Sequence, residues 1–156
     1  MQTHEIPLTL LSPTGGWVNS PVHVSETHGH PVLLYFWSMD CESCGAQLAQ
    51  VREWIREYGA RGLIVIGVDV THSRAELRDT NRVEAFARQN GMSFPIAVDD
   101  GSMAQAYAVE NHPAVLLFDA YGHLRLHADS AEELRDVRPL LERLTGPDAS
   151  TGAFSP

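Results

Sequence analysis

Val32-Leu33-Leu34-Tyr35-Phe36-Trp37-Ser38-Met39-Asp40-Cys41-Glu42-Ser43-Cys44 joins an unbroken apolar run to the only two cysteines of the chain. The run shows no alternation, as expected of a central strand covered on both faces. Beyond it, Leu48, Val51, Trp54, Ile55 and Tyr58 recur at helical spacing, so a helix is predicted from Cys44 to about Tyr58. A strand leading into C-x-x-C at a helix start is a redox arrangement on physical grounds. The helix N-terminus carries unpaired N–H groups and partial positive charge, which favour a thiolate. A thiol placed there titrates in roughly the 3.5–7.5 range instead of near about 8.5. A second thiol one turn along can attack a mixed disulfide formed by the first.

Outward from this stretch the chain alternates strands and helices. Leu63 to Val70 is a second buried strand, and residues 74–90 read as one helix stopped by Asn90-Gly91. Ile96-Ala97-Val98 is a short strand, followed by a short helix over 102–107. Pro113 to Asp119 is a third long strand. Tyr121-Gly122 turns it into His123 to His127, whose alternation fits an edge strand. A last helix covers 131–144. Before the core, a short strand is expected at Ile6 to Leu10. Trp17-Val18-Asn19 and Val22-His23-Val24 are expected to pair as a hairpin around Ser20-Pro21. The pattern is that of an α/β sandwich with a mixed sheet. One domain is expected over 1–146, with a flexible tail over 147–156.

The chain has 156 residues, enough for one sizeable core, with 44% hydrophobic and 20% charged residues. Its formal net charge is -9, from 11 basic and 20 acidic residues, and no basic stripe appears. That balance argues against nucleic acid and anionic membranes as partners. No apolar stretch approaches the roughly 18–20 residues of a membrane span. Met1 to Pro13 lacks the basic and apolar regions of a signal peptide. The location expected is cytoplasmic for the chain as written, or extracytoplasmic if an export signal has been removed. Two cysteines cannot build a stapling framework, so the pair reads as chemical.

These residues resemble the thioredoxin superfamily, and within it the ResA/TlpA-like thiol-disulfide oxidoreductases, over roughly residues 5–145. The resemblance is carried, in order, by Tyr35 to Cys44, Gly67-Val68-Asp69, Phe94-Pro95-Ile96, Tyr107-Ala108-Val109, His112-Pro113 and Leu116 to Leu124. It implies a thioredoxin-like three-layer α/β/α sandwich with a mixed central sheet. It also implies a cis-proline at Pro113 facing the cysteines, with the preceding loop offering backbone groups to a bound peptide. Trp37 matches the family's tryptophan four residues before the first cysteine. The implied activity is dithiol-disulfide exchange with protein thiols, as a reductant. Cys41 is the nucleophile and Cys44 the resolving thiol. Trp37, Asp40, Glu42, Ser43, His112 and Pro113 shape the site. A monomer without an organic cofactor or metal is expected.

Several positions depart from the family pattern. Asp40 stands where a tryptophan is usual, and its carboxylate disfavours a neighbouring thiolate. Glu42 is acidic too, although it can complement the helix N-terminus. Tyr35 occupies the place of thioredoxin's buried acid. His112 replaces a small or β-branched residue and would favour the thiolate if protonated near Cys41. Glu26 is a weaker candidate for an acid near the site, against the ordinary reading of a solvated carboxylate. Three other readings compete. Cys41 and Cys44 with His28 and His30 have zinc-ligand character, but a structural zinc needs four ligands in tetrahedral array. A peroxiredoxin-like thiol peroxidase, AhpC/TSA-related, would use Ser38 three residues before Cys41, yet Leu34 stands where such enzymes carry proline. A binding module with incidental cysteines is disfavoured by the presence of both.

Overall fold

The computed structural model describes residues 8, 11–41 and 44–146. The predicted strand at Ile6 to Leu10 and the tail over 147–156 therefore lie outside the described residues, apart from Leu8. Six strands form one sheet in the order β1-β4-β3-β2-β5-β6. β2 (Val32–Trp37) and β3 (Ile64–Val70) pair in parallel at the centre, and β4 (Ile96–Asp99) continues the parallel set beside β3. β5 (Ala114–Phe118) runs antiparallel on the other flank of β2, and β6 (Leu124–Ala128) forms the far edge. All six residues of β2 are buried, which is why its sequence does not alternate.

The two faces of the sheet carry separate apolar cores. Leu33, Tyr35 and Trp37 point with Val65 into a core completed by α1 (Cys44–Tyr58), α3 (Asn81–Gln89) and α6 (Val137–Thr145). Val32, Leu34 and Phe36 point with Ile66, Val68 and Val70 into the opposite core, which takes Met103 and Ala104 of α4 (Ser102–Ala106). Helices thus cover both sides of a mixed sheet, the architecture read from the sequence.

Four details differ from the sequence reading. Trp17–Val18 (β1) does not pair with Val22-His23-Val24; it pairs antiparallel with Ile96 and Ala97 of β4. Asn19 explains the switch. It adopts φ +73°, a left-handed conformation asparagine tolerates, and its amide donates to the carbonyls of Met92 (3.1 Å) and Phe94 (2.7 Å). Val24–Thr27 is a 3-10 turn instead of a strand. Residues 74–90 form two helices, α2 (Arg74–Arg78) and α3, because Asp79 takes an extended conformation. Residues 131–144 likewise divide into α5 (Ala131–Leu134) and α6. Pro139 has no N–H to offer the carbonyl four residues back and its ring crowds it, so the α-helical ladder cannot run through.

Candidate active site

β2 delivers its chain end to the top of the sheet, and α1 begins seven residues later at Cys44. Between them the backbone turns tightly. The Cys41 N–H donates to the Ser38 carbonyl (3.1 Å), the Asp40 N–H to Ser38 Oγ (3.2 Å), and the Cys44 N–H to the Cys41 carbonyl (3.3 Å). This turn holds Cys41 and Cys44 in a disulfide with Cα atoms 5.4 Å apart. Cys44 is buried at the helix start and Cys41 is half-buried. Glu42 and Ser43, the two residues between them, lie outside the described residues.

The wall behind the disulfide is aromatic. Trp37 is buried and stacks on Phe86 with centroids 5.4 Å apart and planes 17° from parallel. A small cavity of about 40 Å³ between Trp37, Phe86, Leu48 and Met92 reaches both cysteines. Tyr35, at the position of the family's buried acid, donates its hydroxyl to the Cys44 carbonyl (2.9 Å). Burial raises the titration of that phenol, so it serves here as a neutral donor pinning the start of α1.

The His112–Pro113 peptide is cis and leads into β5, the neighbour of β2. His112 lies at the surface, but partial burial pushes its titration below the ordinary 6.5, first by desolvation and then by the charge of His72. The ring is therefore held towards its neutral form, which weakens the thiolate-favouring charge expected of it. Asp40 is exposed beside Cys41.

Two sequence candidates lie elsewhere. Glu26 accepts the His23 N–H (2.7 Å) as part of a capping box in the 24–27 turn. His28 and His30 precede β2, whereas the cysteines follow it. A six-residue strand spans roughly 20 Å, so they occupy opposite ends. His30 Nδ1 instead lies 2.9 Å from the Gly62 carbonyl. Among the described residues, no group of three or more potential ligands is arranged to hold a metal.

The sequence reading missed one residue as a site residue. Asp69 was noted only within Gly67-Val68-Asp69. It stands opposite Trp37 in the β2–β3 register and alternates onto the same sheet face as Trp37 and Val65, the face of α1. It is 1% exposed, and neither carboxylate oxygen has a hydrogen-bond partner among the described residues. Desolvation, followed by the charges of Glu76 and Asp40, pushes its carboxyl up to about 7. The available signal was an acid inside the apolar run 63–70, where a charge needs an explanation. Asp69 lines a cavity of about 170 Å³ together with Ser38, Asp40, His72, Glu76 and His112. This second cavity thus joins the segment before Cys41 to the loop before the cis-proline.

Comparison with known proteins agrees with this geometry. The model of the AhpC/TSA family matches residues 5–127. The thiol-disulfide oxidoreductase YkuV of Bacillus subtilis is 31% identical over 121 residues, 76% of this chain and 80% of that protein. The thiol-disulfide oxidoreductase ResA of Halalkalibacterium halodurans is 27% identical over 114 residues, and the match spans 72% of this chain and 61% of that protein. The solution structure of a thioredoxin-like protein in its oxidised form superposes with a TM-score of 0.77 at 26% identity, covering 90% of this chain and 95% of the other.

Proposed function

We propose, from the premise that this chain belongs to the AhpC/TSA family and is ResA-like within the thioredoxin superfamily, that it is a thiol-disulfide oxidoreductase acting on protein thiols and disulfides. The observation that carries this reading is the Cys41–Cys44 disulfide at the start of α1, with Cys41 half-buried and Cys44 buried.

Each half of the reaction follows from that asymmetry. In the reduced protein the Cys41 thiolate attacks one sulfur of a client disulfide. The client S–S bond breaks and its other sulfur leaves, taking a proton. Cys44 then gives up its proton and attacks the Cys41 sulfur of the mixed disulfide. The second client sulfur is released as a thiol, and Cys41–Cys44 is the disulfide that remains. The client has gained two electrons and two protons. The start of α1 favours the Cys41 thiolate, while Tyr35 holds the first turn through the Cys44 carbonyl. His112 and Pro113 form the edge against which an extended client segment lies, and Trp37, Asp40, Glu42 and Ser43 shape the approach.

Two substitutions test the assignment. Cys41→Ser abolishes reduction of a protein disulfide. Cys44→Ser leaves Cys41 able to react once, so clients accumulate as mixed disulfides on a non-reducing gel. Full turnover by Cys44→Ser would rule out the two-cysteine mechanism. A redox titration of the pair sets the direction: a midpoint near or below about -250 mV makes it a reductant, and one nearer about -120 mV an oxidant. The peroxidase reading gains nothing from Ser38, whose Oγ and carbonyl are both used in the turn before Cys41. Peroxide consumption by the purified protein is expected to be negligible beside disulfide exchange.

A further inference from the structure

The cavity between the segment before Cys41 and the loop before the cis-proline is built unlike a client groove that reads only backbone. Three carboxylates surround it: Asp40 from the turn before Cys41, Asp69 from the end of β3, and Glu76 from α2. Among the described residues its only ionisable nitrogen groups are the imidazoles of His72 and His112, and the second is held towards neutrality. An adjoining hollow past His72 and His112 adds Glu110 and again no arginine. Glu76 is partly satisfied, accepting the Thr71 hydroxyl (2.8 Å) and lying 3.7 Å from an exposed Arg82 nitrogen. Asp69 is not: both its oxygens are buried without a partner among the described residues. The buried aspartate nearest in kind, Asp99, accepts N–H groups from Thr14 (3.2 Å), Gly101 (3.0 Å) and Met103 (2.7 Å). Burial alone therefore does not leave an aspartate unpaired in this fold.

We propose that this cavity is a subsite for a cationic side chain of the client, an arginine flanking the client's disulfide, with Asp69 as its buried anchor and Asp40 and Glu76 at its sides. The inference rests on the exchange function above and names the class of client it takes. The physical reason is preorganisation. The desolvation of Asp69 is imposed by folding, so an entering cation does not have to strip water from that carboxylate. A guanidinium presents several N–H donors in a plane and can serve more than one carboxylate at once, which a compact ammonium cannot. The position is also suited to clients. One wall is the segment leading into Cys41 and another is His112 before the cis-proline, so a peptide lying along that edge passes the cavity mouth. Entry of the cation drives Asp69 to its ionised form, because an opposite charge nearby favours the carboxylate. Binding therefore releases protons near neutral pH.

The test uses three peptides, each with one disulfide, differing only in a flanking residue: arginine, its neutral isostere citrulline, or glutamate. Reduced protein is expected to reduce the arginine peptide at least about tenfold faster than the citrulline peptide, equivalent to about 1.4 kcal/mol, and the glutamate peptide slowest. In Asp69→Asn that arginine-to-citrulline ratio falls towards one. An unchanged ratio in the variant, or no discrimination by the native protein, overturns the proposal, because attraction by the overall charge of -9 does not depend on Asp69. A second measurement needs no variant. Calorimetry of cysteine-free arginine and citrulline peptides with the oxidised native protein, in buffers of different ionisation heat, is expected to show proton release for arginine alone. Equal proton release, or none, also overturns it. Failure to exchange any of the three disulfides would sink the function reading instead, and the calorimetric result would still stand on its own.

Discussion

Asp69 and Asp99 are both buried at strand ends, yet they differ in what surrounds them. Asp99 is ringed by N–H donors at the start of α4, whereas Asp69 meets apolar walls and other carboxylates. The consequence is a pH dependence of opposite sign to that of a salt-bridged acid. In the unfolded chain Asp69 ionises around 3.8; in the folded protein it keeps its proton up to about 7. Between those values the folded state binds more protons, so stability falls as pH rises through the window and levels off above it. The difference between native and Asp69→Asn denaturation midpoints, followed from about pH 4 to 8, should show this loss, on the order of a few kcal/mol at about 1.36 kcal/mol per pH unit. His112 works in the other direction. Its lowered titration contributes stability present above 6.5 that is lost as pH falls through the folded value, so His112→Asn should flatten the acid side of the curve.

At the level of elements, the β3 strand is tightly constrained. Gly67 lies where an added Cβ would sit 2.7 Å from Phe94 Cε1 and 3.2 Å from Trp37 Nε1. Its missing side chain leaves room for the Phe94 ring and for the Trp37 indole, which stacks on Phe86. Gly67→Ala should therefore destabilise the protein by about 1–3 kcal/mol, the usual range for overpacking. Because Trp37 forms the back wall of the disulfide, the substitution should also alter the alkylation rate of reduced Cys41. Unchanged stability together with an unchanged rate would mean that the aromatic wall has more slack than the contacts indicate. The elements themselves were largely legible where one periodicity dominated, as in β2 and α1. The hairpin error arose because Trp17 and Val18 seek an edge already in place, β4, and Asn19 ties the chain there through carbonyls more than seventy residues away. Nothing local distinguishes that pairing from a nearby hairpin.

For the whole molecule, the sheet separates two cores with different duties. The α1 side packs against the disulfide, while the other side is organised around Tyr107, edge-on to Phe36 (6.4 Å) and Phe118 (5.8 Å). Phe118→Leu opens space in the second core without touching the first. Its denaturation midpoint should fall by an amount equivalent to about 1–3 kcal/mol, while Cys41 in the reduced folded protein keeps its alkylation rate. A matching fall in both would show that the cores are coupled through β2.

The order of elements, the buried central strand, the redox pair and its place at a helix start follow from local pattern and from the residue types at Cys41 and Cys44. Tertiary structure alone decided which face Asp69 joins, that it finds no donor among the described residues there, and that His30 is spent elsewhere. It also decided that Asp40, Glu76 and His112 converge on one cavity. Those outcomes depend on strand register and on side chains brought together from as far apart as Asp40 and His112, 72 residues of chain. Hydrophobic periodicity specifies which face is buried, but not which polar groups will meet inside it.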